Sequence, residues 1–233
     1  MNCDVVGNVT PSSVTVLVCV RDGAAYLAEA VRSAFDQTEP PLEVLVIDDG
    51  STDSSADIAE AAGARVVRCP ALGLGAARNG GFQHAMGVLV LVLDADDVLQ
   101  PDSLATLRAA LQATPTAIGC SGRRVEFVSP ELLLHPMMAS QGVNSAARRS
   151  VILSGGMWRR EAGRELPFDT EIATPDLDWI NQQRERRALI IETPSTIFRR
   201  RIHLNNMTRR PEVKAGYLAV ARAAIARRRV ELP

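Results

Sequence analysis

The chain has 233 residues, 46% hydrophobic and 23% charged, which is typical of a globular protein and excludes a disordered chain. No apolar run approaches the roughly 18 residues of a membrane span, and the N-terminal residues lack the basic and apolar segments of a secretory signal. The net charge of −1 conceals an acidic first half, with 6 basic and 15 acidic side chains in residues 1–116, and a basic second half, with 20 basic and 12 acidic ones in residues 117–233.

In the first half, apolar runs alternate with segments of helical spacing. In chain order the pattern predicts a strand over Ser13–Val20, a helix over Ala24–Thr38, a strand over Leu42–Asp49, a helix over Ser51–Gly63, a strand over 64–69, a helix over 75–87, a strand over 88–94 and a helix over Pro101–Ala113. Continuous apolar strands separated by amphipathic helices predict an α/β fold. Its central sheet is mostly parallel, with helices on both faces.

The second half is less regular. The sequence predicts a strand over 117–128, a loop rich in Ser, Pro and Met over 129–150, a helix over 174–187, a strand over 188–193 and a C-terminal amphipathic helix over 211–229. There is no internal repeat and no low-complexity linker, so we expect one domain with a helical appendage at its C-terminal end.

Five carboxylates follow the second and fourth predicted strands, at the edge where parallel sheets collect ligands. They are Asp48, Asp49, Asp94, Asp96 and Asp97. Because Asp94 and Asp96 are two residues apart, both face the same way in an extended chain. Carboxylates this close repel each other unless a cation lies among them, and Mg²⁺ or Mn²⁺ prefers such oxygen ligands. The alternative is a solvated turn in which Asp97 or Asp102 caps the next helix.

The second-strand carboxylates lie in the segment VIDDGSTD. A carboxylate at the position of Asp48 or Asp49 can accept hydrogen bonds from a nucleobase or from ribose hydroxyls. The alternative is a tight turn followed by a helix cap at Ser51 or Thr52, and both can hold together. The glycines of LGLGAARNGG, next to Arg78, would let the backbone approach a phosphate, although they do not match a phosphate-loop consensus.

Taken together and in order, these motifs resemble a known family. The segments VLVCVRDGAAYLAEAVRSAFDQTEPPLEVLVIDDGSTD, GAARNGG and LVLDADD are similar to the nucleotide-binding half of family 2 glycosyltransferases, which have the GT-A fold. A weaker likeness runs through GGMWRREAGRELPFDTEI, TPDLDWI and FRRRIHLNNMT, so the resemblance covers roughly Val14 to Thr208. It implies a tail over 1–12, a nucleotide-sugar-binding half over 13–116, an acceptor-binding and catalytic half over 117–208, and a basic amphipathic helix over 209–233.

The resemblance implies a role for several residues of the first half. Asp49 would hold the base of a nucleoside diphosphate sugar, and backbone near Cys19 and Arg21 would close that pocket. Arg78 would lie beside the nucleotide. The sequence departs from the family at Cys19 and Arg21, where proline and tyrosine are more usual.

The metal and the catalytic base are implied in the same way. Asp94, Ala95 and Asp96 would form the Asp-x-Asp signature, with Asp96 binding Mn²⁺ or Mg²⁺ and His203 completing the metal site. Asp176 falls where the family has its catalytic base. Pro175 replaces the acidic residue that usually precedes this base, and Asp178 is the alternative base. A helix that begins at Pro175 would favour the ionised form of Asp176 through its N-terminal dipole.

The implied reaction is the inverting transfer of a sugar from a nucleoside diphosphate sugar, with uridine the usual nucleoside, to an acceptor hydroxyl or thiol. The acceptor could belong to a glycan, a lipid-linked sugar, a small molecule or a peptide. One alternative is a sugar-phosphate nucleotidyltransferase, but that class expects a glycine-rich basic loop where this chain has RDGAAYL. Another is a nucleotide-sugar-binding module that has lost catalysis. Without membrane spans or a placed Gln-x-x-Arg-Trp element, we expect single additions, not processive synthesis.

For several other residues the sequence leaves the role open or favours a structural role. Trp158 could stack on a sugar or acceptor ring, or be a core or rim aromatic, and Trp179 is assigned to the core. The arginines of the last predicted helix could contact an anionic membrane surface, a dimer partner or solvent; they are Arg222, Arg227, Arg228 and Arg229. Cys3, Cys19, Cys69 and Cys120 show no metal-binding spacing and are expected to be free thiols in a reducing compartment. We therefore expect the protein in the cytoplasm, where it could also lie at the inner membrane face. Arginines without interleaved aromatic residues argue against nucleic acid as a partner.

Overall fold

The computed structural model of the chain describes residues 13–133, 146–149, 153–207 and 211–230. The predicted tail over 1–12, Cys3 and most of the predicted loop over 129–150 lie outside the described residues. So do the side chains of Arg228 and Arg229.

Nine strands form one sheet within the described part of the chain. They are β1 Val14–Val20, β2 Glu43–Asp49, β3 Arg65–Cys69, β4 Leu89–Asp94, β5 Val98–Leu99, β6 Gly119–Val128, β7 Arg148–Arg149, β8 Met157–Arg159 and β9 Ile190–Ile202. The strand order is β3-β2-β1-β4-β8-β6-β9-β5, and β7 pairs with β6. The first four strands are parallel, as are β6 and β9, while β8 joins the two groups by antiparallel pairing with β4 and β6.

Eight helices accompany the sheet in the same residues. They are α1 Leu27–Phe35, α2 Ser55–Ala61, α3 Leu74–His84, α4 Ser103–Ala113, α5 Pro130–Leu133, α6 Arg160–Glu165, α7 Pro175–Glu185 and α8 Pro211–Val230. No helix in the described ranges is both long and apolar enough to cross a membrane.

Two apolar cores lie on the two faces of the sheet, because side chains of successive strand residues point to opposite faces. Val16 and Val18 of β1 belong to the core that contains α1 and α4, and Leu17 belongs to the core that contains Phe82 of α3 and Trp179 of α7. The prediction of an α/β fold with a mostly parallel sheet covered on both faces is confirmed.

Strand β9 differs most from its prediction, which covered only residues 188–193. It continues to Ile202 because its pairing with β6 shifts register where Pro194 interrupts the apolar pattern: Ser121 pairs with Glu192, and Arg123 with Thr196. Proline cannot donate to a strand ladder, and a bulge accommodates it. The continuation carries the chain to the edge of the sheet where the predicted site residues lie.

Candidate active site

The loops after β1 and β2 are tied together by side chains at the carboxyl edge of the sheet. Asp22, whose backbone is left-handed with φ 52°, accepts hydrogen bonds from the backbone N–H and the hydroxyl of Thr52 at 2.7 and 3.1 Å. Ser51 Oγ accepts from the N–H of Asp22, and Asp53 Oδ2 accepts from the N–H of Ala24, both at 3.0 Å. Ser51 and Thr52 therefore join two loops and do not cap a helix. For this reason α2 begins later than predicted, at Ser55.

Asp49 is 5% exposed and also holds a loop. Its carboxylate accepts hydrogen bonds from the N–H groups of Leu72 at 2.8 Å and Gly73 at 3.0 Å, which fixes the connection between β3 and α3. Asp48 accepts from the N–H of Ser51 at 3.0 Å. The predicted contact of Asp49 with a nucleobase stays a prediction, and the loop contact is a role that the sequence did not indicate.

Arg78 is the centre of the site. It is 1% exposed, and its guanidinium connects the end of β4 with the start of α7. Nη2 donates to Asp94 Oδ1 at 2.9 Å and to Asp176 Oδ2 at 3.1 Å, and Nε donates to Asp176 Oδ1 at 3.3 Å. A buried arginine requires such carboxylate partners, because its charge cannot be removed by deprotonation. Asp94, assigned to the Asp-x-Asp motif, and Asp176, assigned as the catalytic base, thus pair with the same guanidinium group.

Cys19, at the end of β1, adjoins this cluster. Burial raises the pKa of its thiol to about 11, and the charges of Asp176 and Asp94 act in the same direction against the lowering effect of Arg78. The thiol is therefore protonated at neutral pH. Arg21, two residues further on, is exposed.

Asp96 and His203, which the family resemblance assigned to one metal site, are in contact in the structure, and metal binding by this pair stays a prediction. His203 Nε2 lies 2.8 Å from Asp96 Oδ2, and Asn206 Nδ2 donates to the same oxygen at 3.1 Å. Asn206 Oδ1 also accepts from the backbone N–H of His203 at 2.8 Å. Asn206 was not predicted, although the segment HLNN that follows β9 contains it.

A second layer of contacts holds the turn that carries Asp96. Arg201 donates from its backbone N–H to the buried Asp97 at 2.9 Å and from Nε to the backbone oxygen of Asp96 at 3.0 Å. Its guanidinium also pairs with Glu29 of α1 and lies 4.7 Å from the ring centroid of Tyr26. Burial, with the neighbouring charge of Asp96, raises the pKa of Asp97 well above its usual range. Asp97 is thus held by β9 and does not cap the next helix.

The metal-ligating atoms of Asp96 and His203 fit a divalent cation. Carboxylate oxygen and imidazole nitrogen are ligands that Mn²⁺ accepts, and the two atoms lie 2.8 Å apart. Within the described residues, no group of three or more His, Cys, Asp and Glu side chains gathers as a complete metal cage. The pair therefore suits a cation that takes its remaining ligands from water and substrate oxygens.

Asp178, the alternative base, is held in the protein interior. It is 6% exposed, accepts from Gln182 Nε2 at 2.6 Å, and pairs with Arg227 Nη2 of α8 at 3.2 Å. These contacts occupy both oxygens and turn them away from solvent. The structure therefore argues against Asp178 as the base and as an acceptor contact. Arg227, expected to contact a membrane, solvent or a dimer partner, binds carboxylates of this chain instead.

The suggestion that Trp158 stacks on a sugar is corrected by the structure. Trp158 is 1% exposed, donates from Nε1 to the backbone oxygen of Leu153 at 3.2 Å, and packs edge-on against Trp179 with ring centroids 5.2 Å apart. Its ring has no face open to a ligand, so it belongs to the core. Trp179 lies in the core as predicted.

Comparisons with solved structures agree with this architecture. TarS of Staphylococcus aureus in complex with UDP-GlcNAc superimposes with a TM-score of 0.70 at 18% identity, covering 91% of this chain and 65% of that one. The mannosyltransferase PcManGT of Pyrobaculum calidifontis, in complex with GDP-Man and Mn²⁺, gives a TM-score of 0.67 at 19% identity, covering 93% and 67%. At these identities the likeness concerns the fold, and the predicted GT-A fold is confirmed.

Sequence comparisons assign the family. The succinoglycan biosynthesis protein ExoU of Rhizobium meliloti is 39% identical over 103 residues, which cover 42% of this chain and 30% of that protein. The chain spans about a third or less of the length of that protein and of other curated relatives that it matches. The family model described as glycosyl transferase family 2 matches residues 15–176, a range that includes the Arg78 cluster and ends at Asp176. The chain therefore belongs to glycosyl transferase family 2.

Proposed function

We propose that the protein is an inverting glycosyltransferase that moves a sugar from a nucleoside diphosphate sugar, most favourably a UDP-sugar, to an acceptor hydroxyl or thiol. The observation that carries the proposal is the convergence of two groups at one edge of the sheet. Arg78 joins Asp94 to Asp176, and Asp96 meets His203. The first group supplies a carboxylate for proton transfer, and the second supplies ligands for a cation beside a diphosphate.

Asp176 is the proposed general base. It takes a proton from the acceptor hydroxyl while that oxygen attacks the anomeric carbon opposite the diphosphate, the bond from this carbon to the diphosphate breaks, and the configuration inverts. Arg78 orients the carboxylate, and the side chain of Asp176 retains 22% exposure for an acceptor. Because a carboxylate has about four lone-pair sites, the two hydrogen bonds from Arg78 leave room for a third partner.

Asp96 and His203 would hold the cation, and Asn206 keeps both in place through its side-chain amide. A divalent cation there would offset the charge that grows on the departing nucleoside diphosphate. Arg201 and Asp97 would keep the Asp96 turn fixed during the reaction, so that little reorganisation is needed.

The proposed donor site lies at the carboxyl ends of β1 and β2. The loops that follow these strands are fixed by Asp22, Ser51 and Asp53, and Asp49 is the last residue of β2. TarS, which shares the fold, was solved with UDP-GlcNAc, which favours a uridine nucleotide in the first round of tests.

The test is a panel of nucleotide sugars with Mn²⁺, with release of nucleoside diphosphate measured in the presence of candidate acceptors. With the donor found in this way, Asp176→Asn should lower turnover by about 10²–10⁴-fold while donor affinity stays close to the wild type, because general-base assistance acts in the chemical step. NMR of the product should show inversion at the anomeric carbon.

Asp178→Asn serves as the comparison, with melting temperatures to verify folding. If Asp176→Asn turns over normally and Asp178→Asn does not, the base has been assigned to the wrong carboxylate. Retention of anomeric configuration would contradict the inverting mechanism directly.

The second candidate is a module that binds nucleotide sugars without turning them over. It is favoured by the ion pair in which both oxygens of Asp176 accept from Arg78, together with Pro175 before the base. Donor binding without diphosphate release, across the panel and with acceptors present, would identify this second function.

A further inference from the structure

Strands β6 and β9 carry two partly buried arginines on one face, next to the proposed catalytic carboxylates. Arg124 and Glu126 are two residues apart on β6, so their side chains share a face, and Arg200 of β9 is registered opposite Glu126. Arg200 Nη1 lies 3.4 Å from Glu126 Oε1. The side chains of Arg124 and Arg200 are 19% and 21% exposed, so both are largely buried but reachable from solvent.

Positive charge exceeds negative charge in this group. Arg124 Nε lies 4.0 Å from Glu126 Oε1, beyond hydrogen-bond distance, and this buried nitrogen has no hydrogen-bond partner among the described residues. Arg148 of β7 is registered opposite Arg124 and adds a third cation. Burial lowers the pKa of Arg124, and the positive charges of Arg200 and Arg148 add to this effect against Glu126 and Asp97. An oxyanion would supply the missing partner.

Helix α8 lies close to the proposed active site. A Cβ on Gly216 would lie 3.2 Å from Ala173 Cβ and from Thr174 Cγ2, so α8 packs closely on the residues that precede Asp176. Burial raises the pKa of the next residue, Tyr217, and the charges of nearby arginines and carboxylates, including Arg200 and Asp176, make smaller contributions. Leu91 of β4 and Cys120 of β6 are both registered opposite Met157 of β8, so Asp94 and Arg124, three and four residues further along their strands, lie at the same edge of the sheet.

We propose that the acceptor carries an oxyanion, a phosphate or a carboxylate, and that Arg124 and Arg200 bind it while the acceptor hydroxyl lies at Asp176. This inference rests on the proposed transferase function and specifies the class of its acceptor. The guanidinium fork matches the oxygen spacing of phosphate and carboxylate, which makes arginine suited to such recognition.

The test uses the full chain saturated with UDP and Mg²⁺, so that the donor diphosphate position is filled, and inorganic phosphate as the probe. Phosphate should raise the melting temperature of the wild type further. Arg124→Gln and Arg200→Gln should each require about 10- to 100-fold more phosphate for the same effect, the range expected for losing a charged hydrogen bond. UDP affinity should stay unchanged in both variants.

Arg123→Gln is the matched control, because Arg123 is the exposed neighbour of Arg124 on the opposite face of β6, and it should respond as the wild type does. Arg124→Lys, which keeps the charge, should retain part of the phosphate response even if Arg124→Gln folds poorly. Vesicles of phosphatidylcholine with and without phosphatidic acid distinguish the source of the anion: binding to phosphatidic acid but not to free phosphate would assign a lipid-borne group.

Three results would overturn the proposal. They are equal responses of all variants to both free phosphate and phosphatidic acid vesicles, competition between phosphate and UDP in the wild type, or UDP affinity that falls about tenfold in Arg124→Gln and Arg200→Gln. The last two would assign the arginines to the donor diphosphate. Failure of UDP to bind the wild type at all would instead contradict the proposed function, so the two failures are distinguishable.

Discussion

At the scale of single residues, Arg78 determines which of the candidate side chains can act together. Its guanidinium is almost wholly buried and pairs with Asp94 and Asp176, which come from β4 and α7. The sequence assigned all three to the site through the family resemblance, but spacing along the chain carries no information on which carboxylates one arginine bridges. The same holds for Asp178, which is two residues from Asp176 and points into the protein because a helix rotates it away.

Cys19 allows a chemical test of this cluster. With a pKa of about 11, only about one thiol in 10⁴ is ionised at pH 7, and the thiolate is the reactive form. We expect slow alkylation by iodoacetamide at pH 7 and a rate that rises about tenfold per pH unit until the pH approaches the pKa. UDP with Mn²⁺ should protect Cys19 and leave Cys120 of β6, whose pKa burial also raises to about 11, unchanged, as measured by peptide mass spectrometry. Fast labelling at neutral pH, or equal protection of both cysteines, would contradict the location of Cys19 beside the proposed nucleotide site.

At the scale of elements, the sequence predicted the long apolar strands and missed the short ones. β1, β2 and β4 are runs of aliphatic residues buried on both faces, and their bounds are predicted within two residues. β5 and β8 have two and three residues and form only because neighbouring strands offer hydrogen-bond partners. Such pairing is a tertiary effect, so no local pattern could have indicated it.

Helix α8 was predicted correctly as a helix, but the sequence did not indicate that its basic face contacts carboxylates of this chain. Arg227 pairs with Glu185 at 2.8 Å and with Asp178 at 3.2 Å, so α8 is fastened to α7 close to Asp176. The carboxylates that neutralise it come from another helix. A helical pattern identifies which residues share a face, not what that face contacts.

Arg227→Gln should destabilise the protein. The change leaves the buried Asp178 without its cation, but Arg227 itself is 39% exposed, so the expected loss of unfolding free energy is only about 1 kcal/mol. For a chain of this size that lowers the melting temperature by about 2–4 °C. Arg222→Gln, an exposed position on the same helix, is the control and should melt as the wild type does. Identical melting temperatures for the two variants would show that the Arg227 pairs do not fasten α8.

At the scale of the whole molecule, the acidic and basic halves of the sequence meet at the site. Asp94 and Asp96 come from the acidic half, while Asp176, His203 and the arginines of β6 and β9 come from the basic one. The fold class followed from strand and helix alternation in the first half alone. How the second half closes over it could not be predicted, because β8, β6 and β9 join the sheet in an order that differs from the chain order.

Because both halves of the chain contribute to the proposed site, we expect the nucleotide and the metal ion to bind cooperatively. UDP with Mn²⁺, at about 100 times its dissociation constant, should raise unfolding free energy by about 2.7 kcal/mol and the melting temperature by about 5–10 °C. EDTA should remove most of this shift, since the cation would contact both Asp96 and the diphosphate. UMP, which lacks the second phosphate, should give a smaller shift with little dependence on metal.

His203→Gln separates metal binding from nucleotide binding in the same measurement. The variant should lose the Mn²⁺-dependent part of the UDP shift, whereas His84→Gln, at an exposed position of α3, should keep it. A full shift in His203→Gln would remove His203 from the proposed cation ligands, and a full shift in EDTA would remove the cation itself.

Strand β9 has a consequence for how this protein can change in evolution. It has 13 residues and ends one residue before His203. It pairs with β5, the strand that directly follows the turn carrying Asp96. Side chains alternate along a strand, so inserting or deleting one residue after Phe198 would exchange the faces of Arg200 and Arg201 and turn His203 away from Asp96 in a single event. Related chains should therefore gain or lose residues in the surface loops while the length of this segment stays constant.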